Sequence, residues 1–213
     1  MVDNVQSPLI RPETIVAEGV SFEEFLTQFA DVHAEWVSGK VIVLTNNTQH
    51  QVIIGILFNL FTLFMGMRSK SLGQVLLAGV PMWISDTVPA REPDLIVVLK
   101  AHQDRIQANH LLGPADIVVE IVSPESTIRD RVDKVTEYAQ AGIPEYWLVD
   151  PLVEQATIYR LGVDGTYKAA PLDSDGYLVS SVFEGFRLTA ALLWQEEPPT
   201  GGELVALVQE MIG

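Results

Sequence analysis

Two short apolar runs separated by one amphipathic stretch constrain this chain more than anything else in it. Residues 117–122 read Ile-Val-Val-Glu-Ile-Val, and residues 146–149 read Tyr-Trp-Leu-Val. Both are rich in β-branched or aromatic residues, as strands covered on both faces are. Between them, residues 129–141 place Val132, Val135, Tyr138 and Ala139 at helical spacing, with Gly142 as a C-cap and Pro144 just beyond. Strand, helix, strand in that order favours a parallel crossover. The chain is therefore read as α/β (α+β), with extra strands at the C-terminal edge of its sheet.

The remaining segments fit around that unit. Ser21 and Glu24 have the spacing of a capping box, and Phe22, Phe25, Leu26 and Phe29 follow at helical spacing, which predicts a helix ending near Asp31 or Val32. Residues 35–37 and 40–44 read as two short strands about a Ser38-Gly39 turn. Residues 50–67 form a helix that is apolar nearly all round, interrupted by Gln51, Asn59 and Thr62. A bilayer span needs about 20 uninterrupted apolar residues, so this is read as a buried core helix. Strands are expected over 74–84, 94–99 and 116–122, with a long loop over 100–113. Strands over 156–161 and 177–187 suggest a meander or hairpin at the sheet edge, and a last helix spans 203–212 after the Pro198-Pro199 break. With 213 residues and no internal repeat, one domain over 19–213 behind a loose arm of residues 1–18 is expected.

Composition removes some chemistry. The chain has no cysteine, which excludes disulfides, thiolate metal sites and a cysteine nucleophile, and fits a reducing cytoplasm. Its N-terminus lacks the basic start and apolar stretch of a signal peptide. Thirteen Lys and Arg face 28 Asp and Glu, a formal charge of −15, so a nucleic-acid ligand would need the few cations concentrated at one place.

Three charged positions stand out by context. Asp94 opens the apolar run 95–99, where a strand end meets a cleft. Glu120 lies inside the run 117–122, on the strand face shared by Val118 and Val122. Burying that charge costs several kcal/mol, on the order of the penalty for any lone ion, unless a cation compensates it. A hard divalent cation such as Mg²⁺ suits carboxylate oxygens. Lys134 lies one turn before Tyr138, at the margin of the helix stripe, within reach of the sheet. Two carboxylates and a lysine form a sensible set for phosphodiester hydrolysis, with metal ligands and a group that orients water or stabilises charge. Each position also has a plainer reading. Asp94 can be a turn residue at a strand start, Glu120 a salt-bridge partner of Lys134 without metal, and Lys134 a partner of Asp130 on a solvated face. Glu35, at a strand start, is a fourth candidate as an auxiliary to the metal shell, or else an exposed edge carboxylate. His50 heads the second helix, and a surface role is read for it ahead of contact with substrate.

The segments EPDLIVVL, ADIVVEIVSPES and RDRVDKVTEYAQAGIPEYWLVDP resemble the putative restriction endonuclease family of the PD-(D/E)xK nuclease superfamily, and AEWVSGKVI and the strand-rich tail fit it too. The resemblance spans roughly residues 20–193, and residues 116–151 are its specific part. It implies the restriction endonuclease-like fold with a mixed central sheet flanked by helices, Mg²⁺ or Mn²⁺ as cofactor, metal ligands at Asp94 and Glu120, and a homodimer. Glu120 is followed by Ile121 and Val122, so the superfamily lysine is missing from its usual place; in this family it stands on the next helix, which matches Lys134. The N-terminal glutamate of the superfamily maps onto Glu35.

The leading expectation is a metal-dependent endonuclease acting on DNA in the cytoplasm, with no membrane partner. Arg91, Arg129, Arg131 and Lys134 would serve as its cations. A non-catalytic binding or regulatory module that keeps the nuclease fold is the alternative favoured by the acidic charge. A glycosidase using Asp94 and Glu120 as acid and base leaves Lys134 without a role.

Overall fold

The computed structural model of the chain describes residues 14–43, 48–68, 72–85, 88–123 and 129–213, with only the backbone of Arg129. The elements in order are β1 (Thr14–Glu18), α1 (Phe22–Gln28), β2 (Ala34–Val37), β3 (Lys40–Val43), α2 (Thr48–Arg68), β4 (Gly73–Leu77) and β5 (Met82–Trp83). Then come β6 (Leu95–Leu99), β7 (Leu111–Leu112), β8 (Ile117–Ile121), α3 (Lys134–Gln140), β9 (Glu145–Asp150) and β10 (Gln155–Leu161). The chain closes with β11 (Tyr167–Ala169), β12 (Leu178–Val179), β13 (Arg187–Leu188) and α4 (Gly201–Ile212).

The central sheet is mixed and six-stranded, in the order β11-β10-β9-β8-β6-β4. Only β8 and β9 run parallel within it, joined by α3 as the crossover. Strand parity then sorts the core into two halves. Leu95, Val97, Ile117, Val119, Ile121, Trp147 and Val149 face one side and pack with α2 and α4. Ile96, Val98, Val118, Val122, Tyr146 and Leu148 face the other and pack with Tyr138 of α3. By length and composition α2 passes for a membrane span, yet its residues Ile53, Leu57, Leu60, Phe61 and Phe64 are buried in the first of these clusters. It is the core helix that its sequence predicts, apolar all round because sheet, α4 and the C-terminal strands surround it. Glu145 ties those strands down. Its carboxylate, wholly buried, accepts hydrogen bonds from Trp147 Nε1, the Ser180 hydroxyl, and the Ser181 amide and hydroxyl.

A smaller sheet, β1-β3-β2, lies beside α1 and is joined to the rest by the bridge Trp36–Ala90. Part of the stretch expected as an arm, Thr14–Glu18, thus forms a strand against β3; residues 1–13 lie outside the described residues. The Ser21–Glu24 capping box is present. Helix α1 stops at Gln28, short of the expected end, because its apolar repeat is exhausted at Phe29.

Three other expectations change in detail. The strand over 74–84 is split, because Gly79 turns the chain at φ 99° between β4 and β5. The strand over 177–187 is two short strands, β12 and β13, paired antiparallel. The loop over 100–113 contains a 3₁₀ turn at Lys100–Arg105 and then β7, which pairs parallel with β5.

Candidate active site

Sheet register brings the first two candidates together. Strands β6 and β8 are antiparallel with Leu95 opposite Val119 and Ile96 opposite Val118. One step further along this register, position 94 faces position 120. Cross-strand partners share a face, so Asp94 and Glu120 are both carried to the side covered by α3. There Asp94 Oδ2 accepts the Ile121 amide at 2.7 Å and lies 3.0 Å from His50 Nε2. The first bond ties Asp94 to the end of β8 and makes it more than a strand-start turn residue.

The third candidate arrives from α3, by a route its sequence only half reveals. Residues Arg129–Asp133 form a π-turn before the α-helix. The inward face is Asp130, Lys134, Tyr138 and Ala141, all buried. Val132, expected in the apolar stripe, is instead 58% exposed. Wider winding in a π-turn rotates the residues before it relative to the helix that follows, so the simple 3.6-residue wheel fails at this end. Lys134 does not sit at a margin; it is 2% exposed and points into the cluster.

Its ammonium lies 2.8 Å from Glu120 Oε1, 2.8 Å from Glu35 Oε1 and 3.2 Å from Asp130 Oδ1. The expected Lys134–Asp130 pair therefore exists, but buried rather than on a solvated face. Glu35 is not an exposed edge carboxylate either. It is fully buried, and its Oε2 accepts from Arg91 Nη1 at 3.0 Å. Arg91 in turn makes a fork to Glu137, with Nε at 2.8 Å and Nη2 at 2.9 Å. A continuous ion chain runs Glu120–Lys134–Glu35–Arg91–Glu137.

Five carboxylates (Glu35, Asp94, Glu120, Asp130 and Glu137) thus face two permanent cations, Lys134 and Arg91, an excess of three negative charges. Its effect falls on Glu120. Burial pushes that carboxyl up to about 8; Lys134 pulls it down, while Asp94, Asp130 and Glu35 add to the rise. Tyr138 donates to Glu120 Oε1, and burial followed by Glu120 itself raises the phenol well above its ordinary value, so it serves as a donor. Burial opposes the charge on Arg91, but Glu35 and Glu137 more than reverse this and hold it protonated.

Among the described residues, no group of three or more His, Asp or Glu side chains is arranged to hold a metal ion. Asp94 and Glu120 nevertheless suit one as a pair. Each uses one oxygen, Oδ2 and Oε1, for protein donors, and the other takes no hydrogen bond from the described residues. Two open carboxylate oxygens in a field of surplus negative charge fit a divalent cation that keeps several waters, as Mg²⁺ does.

Sequence reasoning missed three parts of this arrangement. His50 has no mere surface role: it is buried and bonded to Asp94. The 130–134–138 spacing carried the signal for Asp130 and Tyr138, two i,i+4 steps that put three polar groups on one face. Among the described residues, the cations expected to meet phosphate are taken up by carboxylates. Arg91 and Lys134 are buried in ion pairs, Arg131 is accessible but paired with Asp150, and the Arg129 side chain lies outside the described residues.

A family model described as putative restriction endonuclease matches residues 22–191. The chain belongs to this family. The restriction endonuclease family match covers β2 and β3 of the small sheet, the central sheet and every residue of the ion chain. Among solved structures, the chain is similar to a protein from Anabaena variabilis described as a putative nuclease, at 18% identity and a TM-score of 0.61. That similarity covers 82% of this chain and 90% of the other, and at such identity it speaks for the fold alone. No curated protein matches the chain.

Proposed function

We propose that this member of the restriction endonuclease family is a metal-dependent nuclease that hydrolyses phosphodiester bonds in DNA. The observation that carries the reading is the lysine among carboxylates: Lys134 Nζ within 3.2 Å of Glu35, Glu120 and Asp130, beside Asp94 with its open oxygen. Asp94 and Glu120 would hold Mg²⁺ or Mn²⁺, and the ion when bound would polarise a phosphate and acidify water. Lys134 would orient the attacking water or stabilise developing negative charge on the phosphate. Glu35, anchored by Arg91, would fix the lysine rather than ligate metal. His50 and the Ile121 amide would hold Asp94 so that its second oxygen stays turned to the cation. The homodimer implied by the resemblance belongs to the same reading, and so does a cytoplasmic location, which the absence of cysteine fits.

A second reading has its own support. The net charge is −15, and Arg91 and Lys134 are already saturated by carboxylates. A non-catalytic module that keeps the nuclease fold needs no phosphate contacts. Calorimetric titration with Mn²⁺, for the wild type, Asp94→Ala and Glu120→Ala, separates the two. The nuclease reading expects binding that is lost in both variants, and cleavage of duplex DNA that follows it. No binding to the wild type, with or without DNA, would leave the non-catalytic reading.

A further inference from the structure

We propose that a cavity between α1 and the loop at 78–81 binds a small ligand carrying a cationic amino or amidinium group on a planar apolar body. This goes beyond the nuclease reading and does not depend on it. The cavity measures about 420 Å³ and is walled by Phe25, Leu26 and Phe29 of α1, by Pro81, and by His33 and Glu92. Sites for small molecules combine apolar walls with fixed polar groups, as this one does, and measure roughly 300–1,000 Å³.

Glu92 defines the ligand chemistry. It is 3% exposed, and its Oε1 accepts the Gly79 amide at 2.9 Å and lies 2.6 Å from His33 Nδ1. Its Oε2 takes no hydrogen bond from the described residues. A buried carboxylate with one oxygen left over calls for a donor, and best a charged one. The lining also sets the sign. Asp31 and Glu92 stand there with His33, and no lysine or arginine is among the described lining residues, so phosphate and other anions are disfavoured. Phe29 stacks on Phe25 with centroids 6.2 Å apart and offers a half-buried aromatic surface for a planar cation.

The site is also separate from the ion chain. Glu92 follows Arg91, and His33 precedes Glu35 by two residues, yet Glu92 and His33 pair with each other while Arg91 and Glu35 pair within the ion chain. Ligand binding is thus read without reference to nuclease activity.

Benzamidine, a planar amidinium, is the probe, with benzoate as its counterpart of opposite charge. Titration of the ¹⁵N-labelled protein in the millimolar range is expected to give saturable shifts at Phe29, Gly79 and Glu92 with benzamidine and none with benzoate. Glu92→Gln, which keeps the shape and removes the charge, is expected to weaken benzamidine about tenfold or more. Phe29→Ala is expected to weaken it too, which keeps the test decisive if Glu92→Gln fails to fold. Absence of saturable benzamidine binding, equal binding of benzoate, or undiminished affinity in the folded variants would each overturn the proposal.

Discussion

Replacing Glu120 by glutamine should make the metal-free protein less sensitive to alkaline pH. Glu120 has an ordinary value of 4.5 that burial raises to about 8 in the folded chain. A carboxyl raised on folding favours the native state while it is protonated. Its contribution is complete below 4.5 and is lost as pH rises through about 8. At about 1.4 kcal/mol per pH unit, that rise corresponds to at most about 5 kcal/mol of stability lost between those limits. The glutamine side chain keeps the shape and can still accept from Tyr138, but does not ionise. The stability of Glu120→Gln relative to wild type should therefore climb across this range by several kcal/mol, on the order of that loss. Urea unfolding with EDTA at a series of pH values from 5 to 9 measures it, about one value per pH unit. Mn²⁺ should bind the wild type more tightly as pH rises, because the ligand must shed its proton first. A difference between wild type and variant that stays constant with pH would refute the reasoning. It would mean that attraction to Lys134 outweighs burial and that Glu120 is ionised throughout.

Two further outcomes follow from buried charge. Lys134→Met leaves Glu35, Glu120 and Asp130 without their shared cation, and should cost about 3–5 kcal/mol in urea unfolding without metal. A loss below about 1 kcal/mol would mean that the carboxylates find other compensation. Glu145→Ala strands four donors that its carboxylate now satisfies. It should lower stability by about 3 kcal/mol and release the β12–β13 hairpin first, seen as faster hydrogen exchange at Ser181 and Phe186.

Much of this architecture is written locally in the chain. The crossover at 117–149 follows from two apolar runs around one helix, and the capping box at Ser21 and Glu24 from residue spacing. Glu120 is conspicuous because a lone carboxylate in an apolar strand demands a cation, whatever the fold. Parity along one strand also fixes its face. By contrast, nothing local says that Asp94 lies opposite Glu120, since that depends on the register of β6 on β8. The π-turn at 129–133 is equally hidden; it turns Val132 outward, against the apolar stripe of the helix that follows.

The sequence by itself determined which residues carry unusual charge and which strand faces are apolar, because periodicity and the cost of burial act within a few neighbouring residues. Only the tertiary structure decided their partners. Lys134 meets Glu35 across about a hundred residues of chain, and His50 meets Asp94 from a different helix. Those contacts depend on how the small sheet and α2 dock on the central sheet, and so does the change of Arg91 from an expected phosphate contact to a buried anchor for Glu35. The electrostatic character of the site is a sum over groups distant in sequence, and it exists only once packing has removed the water between them.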